Sequence, residues 1–424
     1  MFSRIEKGLG IQPVVNSKRS LDNKSKTDGH RVFRLRALHF AIVLLATVSI
    51  GLPLSSRGGT QSAAPAQAGN GKEIFRFDTF GDEQLWTDTL RLHEVIQSSV
   101  SPVTALAVGL KVDSAALPPN FLATHDLNSP ATTVELIKLN AVVGLVGSVK
   151  GTQLKSVGIT CAICHSTVDN AVAAGVGNRL DGWSNRDLNP GAIIALSPAL
   201  TSAQKAVYNS WGSGRFDPRF NVDGITGPVL IPPAFGLKGV GFETYTGDGP
   251  ISYWNNYVAV LEMGGHGSFS DPRIGISITQ EPDLVTPKLP ALLQYQLSLA
   301  TPRPPAGTFD QMAAKRGEAL FKTKARCASC HIPPTFTDVL SGPDPNVPFL
   351  HDPAEVGTDP LSAQRSATKQ YRTTPLRALW QHPPYFHDGS APDLIAVINH
   401  YDVLFNLGLT PKQKQDLVEY LKSL

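Results

Sequence analysis

Apolar residues return at near-helical spacing in Glu83–Gln97, where Leu85, Leu90, Leu92 and Ile96 fall together, and this predicts a helix. Thr133–Val149 is a second candidate helix, leading toward Cys161. Phe309–Thr323 is helical by composition, with Gly317 and Phe321 four apart and so on one face. The chain closes on a further predicted helix, striped by Leu417, Leu421 and Leu424. Thr410-Pro411-Lys412-Gln413 opens it in the form of a capping box, with proline at the first helical position. Between 166 and 300, glycine and proline interrupt every pattern around Trp183, Trp211 and Trp254, so irregular backbone with short helices is expected. The fold class implied is mainly α with long Gly/Pro-rich loops.

One stretch is apolar without period. Ala37–Leu54 follows Arg31, Arg34 and Arg36 and precedes a Ser/Gly/Ala/Pro segment containing Ala66-Gln67-Ala68. Basic flank, apolar run and A-x-A form an export signal, with cleavage after Ala68 as the preferred reading. The alternative is an uncleaved membrane anchor, since ~18 apolar residues just span a bilayer. Either reading puts the remainder in the periplasm, or otherwise outside the cytoplasmic membrane. The Pro-rich run Thr301-Pro302-Arg303-Pro304-Pro305 reads as a linker. The expected organisation is thus a basic segment with signal or anchor (1–68), an N-terminal domain (69–300), a linker (301–309) and a C-terminal domain (310–424).

Composition narrows this picture. The 424 residues suffice for two domains with cores of their own. Charged residues make up only 17%, while 37 glycines and 33 prolines suggest ordered loops rather than disorder, because 42% of the chain is apolar. A net charge of +3 implies no polyanionic partner such as nucleic acid.

All four cysteines lie in two C-x-x-C-H motifs, Cys161-Ala162-Ile163-Cys164-His165 and Cys327-Ala328-Ser329-Cys330-His331. This is the attachment signal for c-type haem, with the cysteines bonding the vinyl groups and His165 or His331 turning onto the iron. Two covalently bound haems are therefore expected. A disulfide framework belongs to small cysteine-dense chains. Zinc could use two Cys-x-x-Cys pairs but does not require a histidine directly after each. Covalent haem attachment also takes place outside the cytoplasmic membrane in bacteria, in agreement with the export signal. The helix before the second motif and the closing helix resemble a class I cytochrome c domain, where Gly317 would allow a close crossing near Tyr420 or Leu421. Each half also repeats an order of features. Pro232–Leu237 then Tyr245–Gly249 follow His165; Thr374–Leu379 then Tyr385–Gly389 follow His331.

The second axial position of each iron separates electron transfer from catalysis. No methionine follows His331, which leaves His351, His382, His387, His400 and Tyr401 as candidates. Between His165 and the second motif the only histidine is His266, on a Gly-rich turn with Glu262 and Met263. Met263 or His266 could ligate the first iron. Alternatively that iron is open, with Glu262 and His266 as distal acid/base groups, because peroxide cleavage needs a proton moved between its oxygens. A third reading makes the turn a surface loop with a solvated Glu262.

From Arg316 onward, RGEALFKTKARCASCHIPP, TPLRALWQHPPYFHDGSAPDL and IAVINHYD resemble the bacterial di-haem cytochrome c peroxidase and MauG-like family. The resemblance is strong over about 310–424, weaker over 155–267 and absent before that. It implies two mostly helical haem domains, with peroxide reacting at the N-terminal haem and electrons passing through the C-terminal one. It also implies a small redox protein or quinol-linked electron donor, peroxide or a small-molecule substrate, and room for a calcium ion. Counted from the FHDG motif, the distal ligand of the second haem falls on Tyr401, with His400 second; neighbours on a helix point apart, so one of them at most reaches the iron. Gly247 stands where peroxidase members carry a tryptophan, no tryptophan precedes Cys327, and the distal histidine after the first motif is missing. Di-haem oxygenases share the second-domain motif, so an oxygenase and a pure electron-transfer cytochrome are the alternative readings.

Overall fold

Capping at both ends of the C-terminal third sets its frame in the computed structural model, which describes residues 70–424. Asp310 accepts the Ala313 N–H at 2.7 Å and starts the helix Gln311–Lys322. Thr410 accepts the Gln413 N–H while the Gln413 side chain accepts the Thr410 N–H, and this reciprocal box opens the helix Pro411–Ser423. The two helices cross at Gly317, where an added Cβ would lie 2.0 Å from the Asp416 carbonyl oxygen and 2.8 Å from Tyr420 Cβ. The crossing therefore requires bare backbone, as the sequence suggests. Phe321 packs edge-on against Tyr420 at 5.2 Å, and Leu417, Val418 and Leu421 complete a core with Leu394 and Ile398 of the helix Leu394–Leu404. Cys327 and Ala328 border this core, all of whose members come from residues 320 to 424.

Two other apolar clusters fill the preceding region. One joins Trp86, Leu92, Ile137, Val157, Tyr208 and Trp211; the other joins Phe75, Phe80, Tyr257, Met263, Phe269 and Leu292. Ile163 belongs to the first and its neighbour Ala162 to the second, so the first cysteine motif is wedged between them. Short helices and two-stranded ribbons make up 166–300, and 301–309 carries no helix or strand. The architecture is mainly α.

Two predicted helices are corrected. Glu83–Gln97 is interrupted: a wide π-type turn spans Gln84–Thr89, Arg91 takes a left-handed conformation (φ 56°), and an α-helix follows at Leu92–Ser99. Thr87, buried in that turn, exchanges hydrogen bonds with the Val157 backbone, and this tertiary tie overrides the local period. Thr133–Val149 is a helix only to Lys138; Leu145–Lys150 is instead a strand paired antiparallel with Gln153–Ile159. Gly144 takes φ 79° with the Ile163 backbone directly beside it, and Gly147 lets the hairpin press onto Ile137. The basic segment, Ala37–Leu54 and Ala68 lie outside the described residues. Among the described residues, no helix is long and apolar enough to cross a membrane.

Candidate haem centres

The two motifs fold alike. In each, the histidine N–H donates to the carbonyl of the first cysteine, at 3.2 Å for His165 to Cys161 and 2.9 Å for His331 to Cys327. Nδ1 of His165 pairs with the Pro232 carbonyl at 3.0 Å, and Nδ1 of His331 with the Phe336 carbonyl at 3.0 Å. A carbonyl on Nδ1 fixes the tautomer that leaves Nε2 as a lone-pair donor, the arrangement of a metal-ligating histidine. Burial pushes His165 down to about 4 and lowers His331 as well, so both rings are neutral. The Thr374 backbone also lies against His331. Thus the Pro-led turn of each half, at Pro232 and at Thr374, meets its own motif histidine.

These residues fit covalent haem. The four thiols are unpaired, and burial pushes Cys161 and Cys164 up to about 12. Cys161 and Cys164 pack against the N-terminal clusters and Cys327 against the C-terminal core, so the four cysteines do not converge on one zinc ion. Among the described residues, the one group with metal-ligand spacing is Cys330, Asp338 and His351, which includes only one cysteine.

Beside the second motif, the structure separates the ligand candidates. Burial, with the sulfurs of Cys327 and Cys330 nearby, pushes the Tyr401 phenol up to about 12. Its ring stacks on Phe405 at 5.8 Å and meets Phe386 edge-on, and its hydroxyl makes no hydrogen bond among the described residues. His400 turns away, with Nε2 on the Val356 carbonyl at 2.9 Å. His382 is held by the Arg377 carbonyl, and His387 by Tyr371 at 3.0 Å. His351 lies near Cys330, but Asp338 and Glu355 take its two nitrogens at 3.0 and 2.9 Å and raise it to about 9; a protonated imidazole has no lone pair for iron. Tyr401 is thus the candidate that combines proximity with an unengaged ligand atom.

Around the Gly-rich turn, the solvated-loop reading of Glu262 is wrong. The side chain is 4% exposed at the end of a π-type turn, Val258–Glu262. Oε2 accepts from Asn221 Nδ2 at 3.1 Å, while Oε1 is buried with no partner. Burial raises its pKa well above the carboxylate range; Asp217 and Asp223 push the same way, and the nearby Arg219 and Arg365 oppose them. The environment of Glu262 therefore favours the neutral, proton-bearing carboxyl over the carboxylate. His266 does not share this environment: its Nε2 faces the Glu281 carbonyl at 3.2 Å, beside Gly81 and Leu284. Met263 is buried, and its carbonyl accepts from Trp86 Nε1 at 2.9 Å.

Sequence reasoning missed the groups that surround Glu262. Arg365 reaches Asp217 at 2.9 Å and Asp223 at 2.8 Å, joining residues 148 and 142 positions apart, and Arg219 pairs with Asp248. No local pattern announces such pairs. It also missed the edge-to-face contact of Trp183 with Trp380, whose ring centroids lie 6.0 Å apart.

No protein-family model matches the chain. Methylamine utilization protein MauG of Methylorubrum extorquens is 31% identical over 162 residues, covering 32% of this chain and 42% of that protein. MauG of Methylophilus methylotrophus is 33% identical over 127 residues, covering 26% and 36%. The chain therefore spans less than half the length of these curated relatives. A solved structure of Kuenenia stuttgartiensis hydrazine synthase, pressurized with xenon, is 21% identical and covers 47% of this chain and 73% of its own; at a TM-score of 0.31 the similarity is too low to relate the two folds. Through matched sequence as well as matched motifs, the chain resembles the MauG-like family of di-haem cytochrome c peroxidases.

Proposed function

We propose that the protein is an exported di-haem c-type cytochrome acting as a peroxidase or MauG-like oxidoreductase. Cys161, Cys164 and His165 would hold one haem, and Cys327, Cys330 and His331 the other. Each haem, when bound, supplies an iron that exchanges electrons and, where one face is open, takes up peroxide. Tyr401, beside Cys327 and Cys330, would be the second protein group to hold the C-terminal iron, and a phenolate oxygen there would favour the ferric state. Glu262 serves the N-terminal site. Its buried carboxyl carries the proton that must pass from the near to the far oxygen of peroxide, and Asn221 orients it. His266, held by a backbone carbonyl away from that network, is not needed for this step. The two haems belong to an N-terminal domain (69–300) and a C-terminal domain (310–424), the latter supported by its separate core. Electrons enter from a small redox protein or a quinol-linked donor.

The observation that carries this reading is the inequality of the two sites. Both histidines are prepared alike, yet one motif has a tyrosine beside its cysteines, while the turn singled out for the other carries a buried glutamate whose Oε1 has no partner. The test is rapid mixing of the ferric protein with peroxide, followed by its absorption spectrum. The wild type should respond and Glu262→Gln should respond at least tenfold more slowly, in the range typical of acid–base groups. An unchanged rate would remove Glu262 from the mechanism, and no response from the wild type would leave an electron-transfer cytochrome.

A further inference from the structure

Five buried nitrogens without acceptors lie on two chain segments, 183–186 and 372–381, that meet at the Trp183–Trp380 contact. They are Nε and Nη1 of Arg186, Nε of Arg372, Nε1 of Trp380 and Nε2 of Gln381. Buried donors are almost always paired, and each unpaired one costs about 1–3 kcal/mol, more when charged. The segments are linked further. Tyr245 lies close to both Arg186 and Arg372, while Arg186 also neighbours Tyr385, His382 and Arg215. Arg372 is 8% exposed and gives its other nitrogens to the Thr373 and Glu243 carbonyls at 3.2 and 2.8 Å. Glu243, whose carboxyl lies near Arg372, is already occupied, accepting from the Ile251 and Gly241 N–H groups. No ion pair engages Arg186 among the described residues, and the carboxyl that acts on Arg372, Glu243, makes no hydrogen bond to it.

A set made only of donors, two of them cationic, is the complement of a group made only of acceptors. A carboxylate is such a group, and Arg binds it with several parallel N–H donors. Haem carries two propionate carboxylates. The first segment is tied directly to the first motif, since Gly182 and Asn185 donate to the His165 and Cys164 carbonyls at 2.8 and 2.9 Å. On the other side, Leu379, next to Trp380, belongs to the core against which Cys327 packs. Resting on the haem reading above, we propose that Arg186, with Arg372, Trp380 and Gln381, forms a carboxylate-binding site that anchors a haem propionate at the seam between the two halves.

The test is spectroelectrochemical titration of the purified holoprotein, after its haem content has been measured by pyridine haemochrome. Two haems per chain establish the haem reading independently of this inference. Arg186→Gln should then lower the midpoint potential of one haem and not the other, because a lost positive charge beside the propionate favours the ferric state. Arg186→Lys should shift the same haem less. Trp380→Phe, which keeps an aromatic ring and removes one donor, serves if Arg186→Gln does not fold, and should lower the same potential by a smaller step. Arg91→Gln, at an exposed pair with Glu94, removes the same charge elsewhere and should shift neither haem. Acetate and succinate added to the wild type should leave both spectra unchanged. Unaltered potentials in Arg186→Gln and Trp380→Phe would overturn the proposal. So would a succinate-dependent spectral change that Arg186→Gln abolishes, which would assign the site to a diffusible carboxylate.

Discussion

Gly317→Ala opposes two effects of known size. Alanine is favoured over glycine inside a helix by about 1 kcal/mol, so in an open position this change stabilises. Here the new Cβ would sit 2.0 Å from the Asp416 carbonyl oxygen, whereas real Cβ contacts essentially never fall below 3.0 Å. The obstacle is backbone, and Tyr420 Cβ at 2.8 Å closes the other escape. The helices Gln311–Lys322 and Pro411–Ser423 must therefore part by about an ångström, loosening the Phe321–Tyr420 contact and the core that borders Cys327. Overpacking of this kind costs about 1–3 kcal/mol, occasionally more. With the propensity gain set against it, the net loss falls at about 0–2 kcal/mol, and at the upper end of that range here because the obstacle is backbone. Chemical denaturation of the holoprotein, followed by the absorption of the second haem, measures it. A variant as stable as the wild type, or more stable, would refute the steric reasoning.

Tyr401→Phe should alter the ferric spectrum of one haem only, while His400→Ala, which removes a side chain bonded to the Val356 carbonyl, should leave both haem spectra unchanged; the reverse outcome would make His400 the ligand. The peroxide step should weaken as pH rises through the raised pKa of Glu262, because only the protonated carboxyl can give a proton, and Glu262→Gln should remove that limb of the profile. By the same sign, the stability contributed by neutral Glu262 is fully present below the unfolded carboxyl pKa and is lost as pH rises through the folded value. Stability of the glutamine variant should therefore decline less on the alkaline side.

How much was legible depended on the range of the interaction. The C-x-x-C-H motifs and the capping box at Thr410 are written in adjacent residues, and each closes its turn locally. Gly317 was legible through the resemblance to a class I cytochrome c domain, where a small residue lets the two helices cross closely. The break at Arg91 and the hairpin from Leu145 were not. Thr87 and Gly144 answer to Val157 and Ile163 across the fold, and these contacts outweigh the local period. For Glu262 the residue could be singled out, but its chemistry could not. Its burial, with Asp217 and Asp223 brought from distant segments, favours the neutral carboxyl, while Arg219 and Arg365 oppose that shift. Arg186 carried no sequence signal at all; only its unpaired nitrogens distinguish it from any other arginine.

The central claim is that two haems attached by the same motif have unequal irons. Low-temperature electron paramagnetic resonance of the ferric holoprotein, before and after peroxide, tests it most directly. The account predicts one high-spin and one low-spin signal, with the high-spin signal changing first on addition of peroxide. Two low-spin signals that peroxide leaves unchanged would contradict it.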